Sequence, residues 1–154
     1  MELSHINDEG RARMVDVTDK DVTCRTATAS AIVNVSPATM EIIRTGGIKK
    51  GDVLSVAQVA GIMAAKKTAD LIPMCHPLML TSVDIRFEMT DTQLRIEATV
   101  RCKGTTGVEM EALTAASTAA LTVYDMCKAV QRDITITDIM LLHKDGGKSG
   151  EFRR

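Results

Sequence analysis

From residue 107 to residue 130 the chain reads as one helix whose middle, residues 112–124, carries no charge. Glu109 and Glu111 bracket this apolar run on one side, Asp125 and Lys128 on the other. Helical steps of three and four put Glu111, Thr114, Thr118, Leu121, Asp125 and Lys128 on one stripe. The opposite stripe, Ala112, Ala116, Ala119, Val123, Met126 and Val130, is apolar and mostly small. A helix this apolar is normally buried. Its few charges must then be partnered or shift their proton affinity.

The rest of the chain alternates more quickly. Residues 1–22 are polar and aperiodic and are expected to form a partly ordered arm. Small and β-branched residues alternate from Thr23 to Val35, which predicts a first strand. Ser36-Pro37 reads as an N-cap followed by proline at the first helical position, and Gly46-Gly47 as the stop. Ser55-Val56-Ala57-Gln58 matches a capping box, so a second helix is expected from there to about Thr68. Prolines 73 and 77 make the following segment irregular. Val83, Ile85, Phe87 and Met89 then alternate with polar residues, as do Leu94, Ile96, Ala98 and Val100 beyond a turn near Asp91. Two such runs predict a hairpin with one buried and one wet face. Ile134 to Leu142 supplies a last strand.

The order is β, α, α, β, β, α, β. Apart from one extra short helix this is the split βαβ, or ferredoxin-like, arrangement, an α+β fold with an antiparallel sheet and helices on one face. There is no internal repeat or linker. One domain over residues 23–143 is expected, with a flexible tail over 144–154.

Composition narrows the function classes. The 154 residues are 45% hydrophobic but only 2% aromatic, so Ala, Val, Ile, Leu and ten Met must build the core. A net charge of -1 gives no global pull toward nucleic acid or membrane. So few aromatics also speak against a base-stacking platform. An anionic small ligand needs only a local cluster of Lys and Arg. The four cysteines show no C-x-x-C spacing, so no metal site is expected. A polar N-terminus with no apolar run long enough to span a bilayer fits a cytoplasmic protein with reduced thiols.

Five groups of residues are weighed for chemistry. Thr106-Gly107-Val108-Glu109 has capping-box spacing, which gives Glu109 a structural task; Glu111 has none. Asp125 and Lys128, three apart, are in reach of one another, either as a plain helix ion pair or as a proton donor and acceptor. Fourteen residues separate Glu111 from Asp125, about 21 Å along a straight helix. One compact site cannot easily use both from one chain. Either Glu111 is structural, or the ligand is long, or a second subunit supplies one end. Met74-Cys75-His76 lies between the two prolines, which hold His76 in a stiff extended segment. Lys50 sits in a turn, and Lys66 in the last turn of a helix, where a dipole role competes with ligand binding. Gly146-Gly147-Lys148-Ser149-Gly150 lacks the full Walker spacing and fits a mobile tail better.

MVDV at 14–17, KGDV at 50–53, DLIPMCHPLML at 70–80, TGVEMEALTAAS at 106–117 and LTVYDMCKAVQ at 121–131 are together specific. With these motifs the chain resembles, over nearly its whole length, the molybdenum cofactor biosynthesis protein C family, the cyclic pyranopterin monophosphate synthases. The resemblance implies a ferredoxin-like fold and a homo-oligomer, a hexamer built as a trimer of dimers with the site at a dimer interface. It implies conversion of 3′,8-cyclo-7,8-dihydro-GTP to cyclic pyranopterin monophosphate with release of pyrophosphate. Asp125, Lys50 and Lys128 match the family's catalytic positions. Met74, Cys75, His76, Met110 and Glu111 match its substrate-binding segments, and Lys66 a further basic position. No cofactor is expected beyond the Mg²⁺ that a triphosphate often carries. Lys144 is followed by Asp145 where the family commonly has Ser. A non-catalytic ligand-binding domain on the same fold is the competing class.

Overall fold

The computed structural model describes residues 3–154. The elements run β1 (Thr23–Asn34), α1 (Pro37–Thr45), α2 (Val53–Lys66), α3 (Thr68–Leu71), β2 (Leu80–Met89), β3 (Gln93–Gly104), α4 (Glu109–Cys127), β4 (Thr135–Asp145) and β5 (Phe152–Arg153). The five strands form one sheet in the order β2-β3-β1-β4-β5, with antiparallel pairing throughout. Without the terminal β5 this is the ferredoxin-like order expected from the sequence.

One face of the sheet is the core. Ala27, Ala29, Ala31 and Val33 of β1 are fully buried, as are Leu94, Ile96, Ala98 and Val100 of β3. Alanines on the central strand leave room for a helix to approach closely. That helix is α4, whose Ala112, Ala115, Ala116, Ala119, Ala120 and Val123 are also fully buried. Val130, assigned to the same stripe, lies beyond the helix end and is half-exposed. The small residues of α4 face α2 as well as the sheet. A Cβ on Gly61 of α2 would collide with the Ile85 side chain and stand 3.0 Å from the carbonyl oxygen of Ala115. Glycine is needed there for helix contact, not for backbone freedom.

Several boundaries differ from those expected. The cap of α2 is Asp52, not Ser55: Asp52 Oδ1 accepts from the Ser55 amide at 3.1 Å and Oδ2 from the Ser55 hydroxyl at 2.8 Å. A carboxylate is the stronger anionic cap at the positive end of a helix. The α4 capping box does not form. That helix starts at Glu109 with Val108 at the cap position and no side-chain cap bond. Glu109 instead accepts from Lys144 Nζ at 2.9 Å. Full ion pairing with a neighbouring strand outcompetes a neutral bond to its own backbone. The strand β4 continues past residue 143 to Asp145, and β5 pairs back on it, His143 opposite Arg153. Glu151 accepts from His143 at 3.0 Å and from Arg153 at 2.6 Å, which ties residues 143–153 together.

Gly61→Val is expected to overpack the α2–α4 contact and lower stability by about 1–3 kcal/mol. A urea unfolding midpoint equal to that of the unaltered protein would contradict the packing described.

Candidate active site

The antiparallel run of α2 beside α4 brings the turn before α2 against the C-terminal end of α4. Lys50, in that turn, donates to the backbone carbonyl of Asp125 at 3.0 Å, and its Nζ is 3.7 Å from Asp125 Oδ2. Lys128, just past the end of α4, places Nζ 2.7 Å from Asp125 Oδ1. One carboxylate thus stands between two ammonium groups, all three exposed to solvent. The hydrogen bond and charge of Lys128, with Lys50 adding to them, hold the Asp125 carboxyl below its ordinary range. The same bond pushes Lys128 up. Asp125 therefore stays ionised and Lys128 stays protonated from mildly acid to well above neutral pH. The pair is lost only as pH falls through the depressed Asp125 value or rises through the raised Lys128 value.

A second cluster forms at the other end of α4. Met74, Cys75 and His76 face Met110 and Glu111 across a cavity of about 380 Å³. Ser4, His5, Val15, Val17 and Lys20 of the N-terminal arm complete its wall. His76 Nε2 is 2.7 Å from the carbonyl oxygen of Val15. A carbonyl only accepts, so Nε2 is the donor in this bond. Glu111 is only 4% exposed. Among the described residues no other side chain bonds to it. Burial pushes its carboxyl up, and its charge in turn adds to the burial that pushes up the Cys75 thiol. An unactivated thiol of this kind is a wall of the cavity, not a nucleophile.

Of the residues singled out in the sequence, Lys50, Asp125 and Lys128 come together at one end of α4. Met74, Cys75, His76, Met110 and Glu111 come together at the other. Lys66 joins neither group: it is exposed in the last turn of α2. The two clusters do not meet within the chain, and the helix between them is the spacer.

A basic recess was not foreseen. Lys20, Arg25 and Lys144 line a smaller cavity of about 180 Å³ that shares Lys20, Thr106, Gly107 and Glu109 with the first. Gly146 and Gly147, at φ 99° and 80°, wrap the loop around Arg25 so closely that a Cβ on Gly147 would collide with the guanidinium. That pair of glycines was the available signal, since a left-handed turn against a backbone is a glycine's place. Glu109, paired to Lys144, and Asp145 also line it, so its three basic side chains leave a formal excess of one positive charge toward phosphate or another oxyanion. None of the four cysteines is disulfide-bonded. No group of His, Cys, Asp and Glu among the described residues could hold a metal ion, and no helix among them is long and apolar enough to cross a membrane.

With this geometry in place, comparison with known proteins decides the family. The MoaC family model matches residues 14–147. The chain belongs to the MoaC family. Similar curated relatives are the proteins named cyclic pyranopterin monophosphate synthase from Peptoclostridium acidaminophilum and from Brevibacillus brevis strain 47. The first is 56% identical over 154 residues, covering all of this chain and 98% of the relative. The second is 59% identical over 154 residues, covering 99% and 96%. The protein of the same name from Thermoanaerobacter sp. strain X514 is 58% identical over 156 residues, with 100% and 99% covered. The matched MoaC span runs from Met14 of the arm to Gly147 of the glycine turn, so it includes Lys50, Asp125 and Lys128, the Met74–His76 and Met110–Glu111 segments, and Lys20, Arg25 and Lys144.

The buried Glu111 carries a pH signature. Its proton affinity is higher folded than unfolded, so its contribution is most favourable below the ordinary glutamate range and turns unfavourable as pH rises through the raised value. Glu111→Gln is therefore expected to raise the thermal midpoint relative to the unaltered protein, by a margin that grows with pH above that range. A midpoint equal or lower at every pH would show that the carboxylate is compensated.

Proposed function

We propose that this chain is a cyclic pyranopterin monophosphate synthase, taking 3′,8-cyclo-7,8-dihydro-GTP to cyclic pyranopterin monophosphate and pyrophosphate in molybdenum cofactor biosynthesis. The observation that carries the proposal is the Lys50–Asp125–Lys128 arrangement, two lysines on one carboxylate in a chain of this family. Closing the cyclic phosphate requires a sugar hydroxyl oxygen to bond the α-phosphorus. The bond from that phosphorus to the departing pyrophosphate breaks, and the hydroxyl proton must leave. Rearranging the purine-derived ring needs further proton transfers to and from carbon-bound nitrogen and oxygen. Lys50 and Lys128 act as the acid–base pair for these steps, and Asp125 holds Lys128 in place and keeps it charged.

The cavity at the other end of α4 takes the ring system. There Glu111 and His76 offer hydrogen bonds in a desolvated setting, and Met74, Cys75 and Met110 supply apolar walls. The basic recess beside it takes phosphate oxygens and stabilises leaving pyrophosphate, with Mg²⁺ arriving on the triphosphate itself. Because about 21 Å of helix separates Glu111 from Asp125, a complete site needs two chains. The proposal therefore includes a homo-oligomer, a hexamer arranged as a trimer of dimers. Across each dimer a twofold axis sets the Glu111 end of one subunit against the Asp125 end of its partner, and the contact is reciprocal. The same proposal makes it a cytoplasmic enzyme with its thiols reduced.

Lys128→Ala and Asp125→Ala are each expected to reduce pyrophosphate release from the cyclic dihydro-GTP substrate by roughly 10²–10⁴-fold, the usual share of a positioned proton-transfer group. Circular dichroism and thermal midpoint should stay unchanged, because these side chains are exposed. Turnover at the unaltered rate by either purified variant would remove the pair from the mechanism. Nucleotide binding with no product from the unaltered protein would favour the non-catalytic alternative.

A further inference from the structure

The N-terminal arm supplies five residues to the wall of the larger cavity, yet it is barely attached to the body of the protein. Nearly every hydrogen bond of residues 3–22 among the described residues lies within the arm. Asn7 accepts from the amides of Glu9 and Arg11, Arg13 bonds back to His5, and Thr18 donates to Asp16. An isolated bridge joins Ile6 to Ala12. Two bonds cross to the body. One is the 2.7 Å bond from His76 to the Val15 carbonyl; the other is a long 3.5 Å bond from Arg25 to the Asp21 carbonyl, next to the start of β1. No described residue of the arm is buried. Leu3, Ile6 and Met14 are 75%, 40% and 49% exposed, so the arm adds no side chain to the core.

A segment that is ordered within itself, lightly fastened and without a fully buried side chain belongs to the low end of the range of local opening energies. Lids are drawn from that end. Here the fastening is made by a residue of the cavity itself. Lys20 stands at the point where the ring cavity, the basic recess and a third cavity around Arg25 and Lys148 meet. We propose that residues 3–20 form a strap that opens and closes over the site, latched by the His76–Val15 bond, and that it carries Lys20 onto the phosphate end of an anionic ligand as it closes. His76 then acts as a positioning residue as well as a cavity wall: its Nε2 holds the strap, and its Nδ1 remains for the ligand. The nucleotide character of that ligand rests on the function proposed above; the strap and its latch rest on the arm's own contacts.

Peptide-resolved amide hydrogen exchange on the full chain tests this, using GTP as a stable triphosphate probe and a parallel calorimetric titration to read binding. In the free protein the amides of residues 5–17 should exchange much faster than those of α4. Saturating GTP should slow them by roughly tenfold or more. His76→Ala should remove that slowing while α4 stays protected, and Lys20→Ala should weaken GTP binding and reduce the slowing. Arm amides as slow as those of α4 in the free protein would make the arm a fixed wall and overturn the strap. So would fast arm amides that GTP leaves unchanged, whether or not GTP binds. Should His76→Ala lose α4 protection and so prove misfolded, the unaltered protein with and without GTP still decides. Turnover of the cyclic dihydro-GTP substrate is measured separately. A strap that closes in a protein without turnover would leave this inference standing and remove the proposed reaction.

Discussion

A ridge of alanines on α4 is pressed against the alanines of β1 and the apolar face of β3, and that contact positions both ends of the helix. Small side chains on both sides let the helix lie close to the sheet, and Gly61 lets α2 lie close to the helix. Packing this tight leaves few alternative positions for the helix. Its length becomes a fixed distance, and its two ends become fixed platforms. Asp125 is exposed at one end, where two lysines can reach it. Glu111 is buried at the other, where no other side chain among the described residues bonds to it.

The two platforms differ in their electrostatics for one reason, access to water. At the Asp125 end, solvent and two ammonium groups keep the carboxylate ionised and Lys128 charged. At the Glu111 end, desolvation raises the carboxyl and keeps the nearby thiol neutral. A cavity with an unmatched acid is less stable than one lined by apolar residues, and such instability is usual where a protein binds a polar ligand. The basic recess beside it has the opposite sign. Together they set a buried acid beside a group of basic side chains.

The architecture was largely legible in the sequence because periodicity and burial agree. The twofold alternation over residues 83–89 and 94–100 became a hairpin with its core face inward. The charge-free run over 112–124 became a buried helix. What was not legible depends on contacts between distant segments. Asp52 took the cap expected of Ser55 because the strength of a cap is settled by charge at the helix end. Glu109 left its capping box for Lys144, thirty-five residues away. Arg25 and Lys144 gave no local sign of a shared recess, since strand pairing brings them together. The polar arm looked featureless because its order comes from short-range turns and one bond to His76. Motif likeness pointed to the residues of both clusters, and axial distance set the two apart along the helix. Neither could show that the arm closes the wall of the cavity.

The central claim is that α4 divides the chemistry between two subunits. Purified Asp125→Ala and Glu111→Ala proteins, each inactive alone, can be mixed under conditions where subunits exchange, and pyrophosphate release measured. Random pairing through a twofold contact leaves one intact site in each mixed dimer, so activity should return to about a quarter of the unaltered value. Exchange demonstrated by mass-tagged subunits, with no activity returning, would contradict the shared site and leave α4 a structural helix with two unrelated ends.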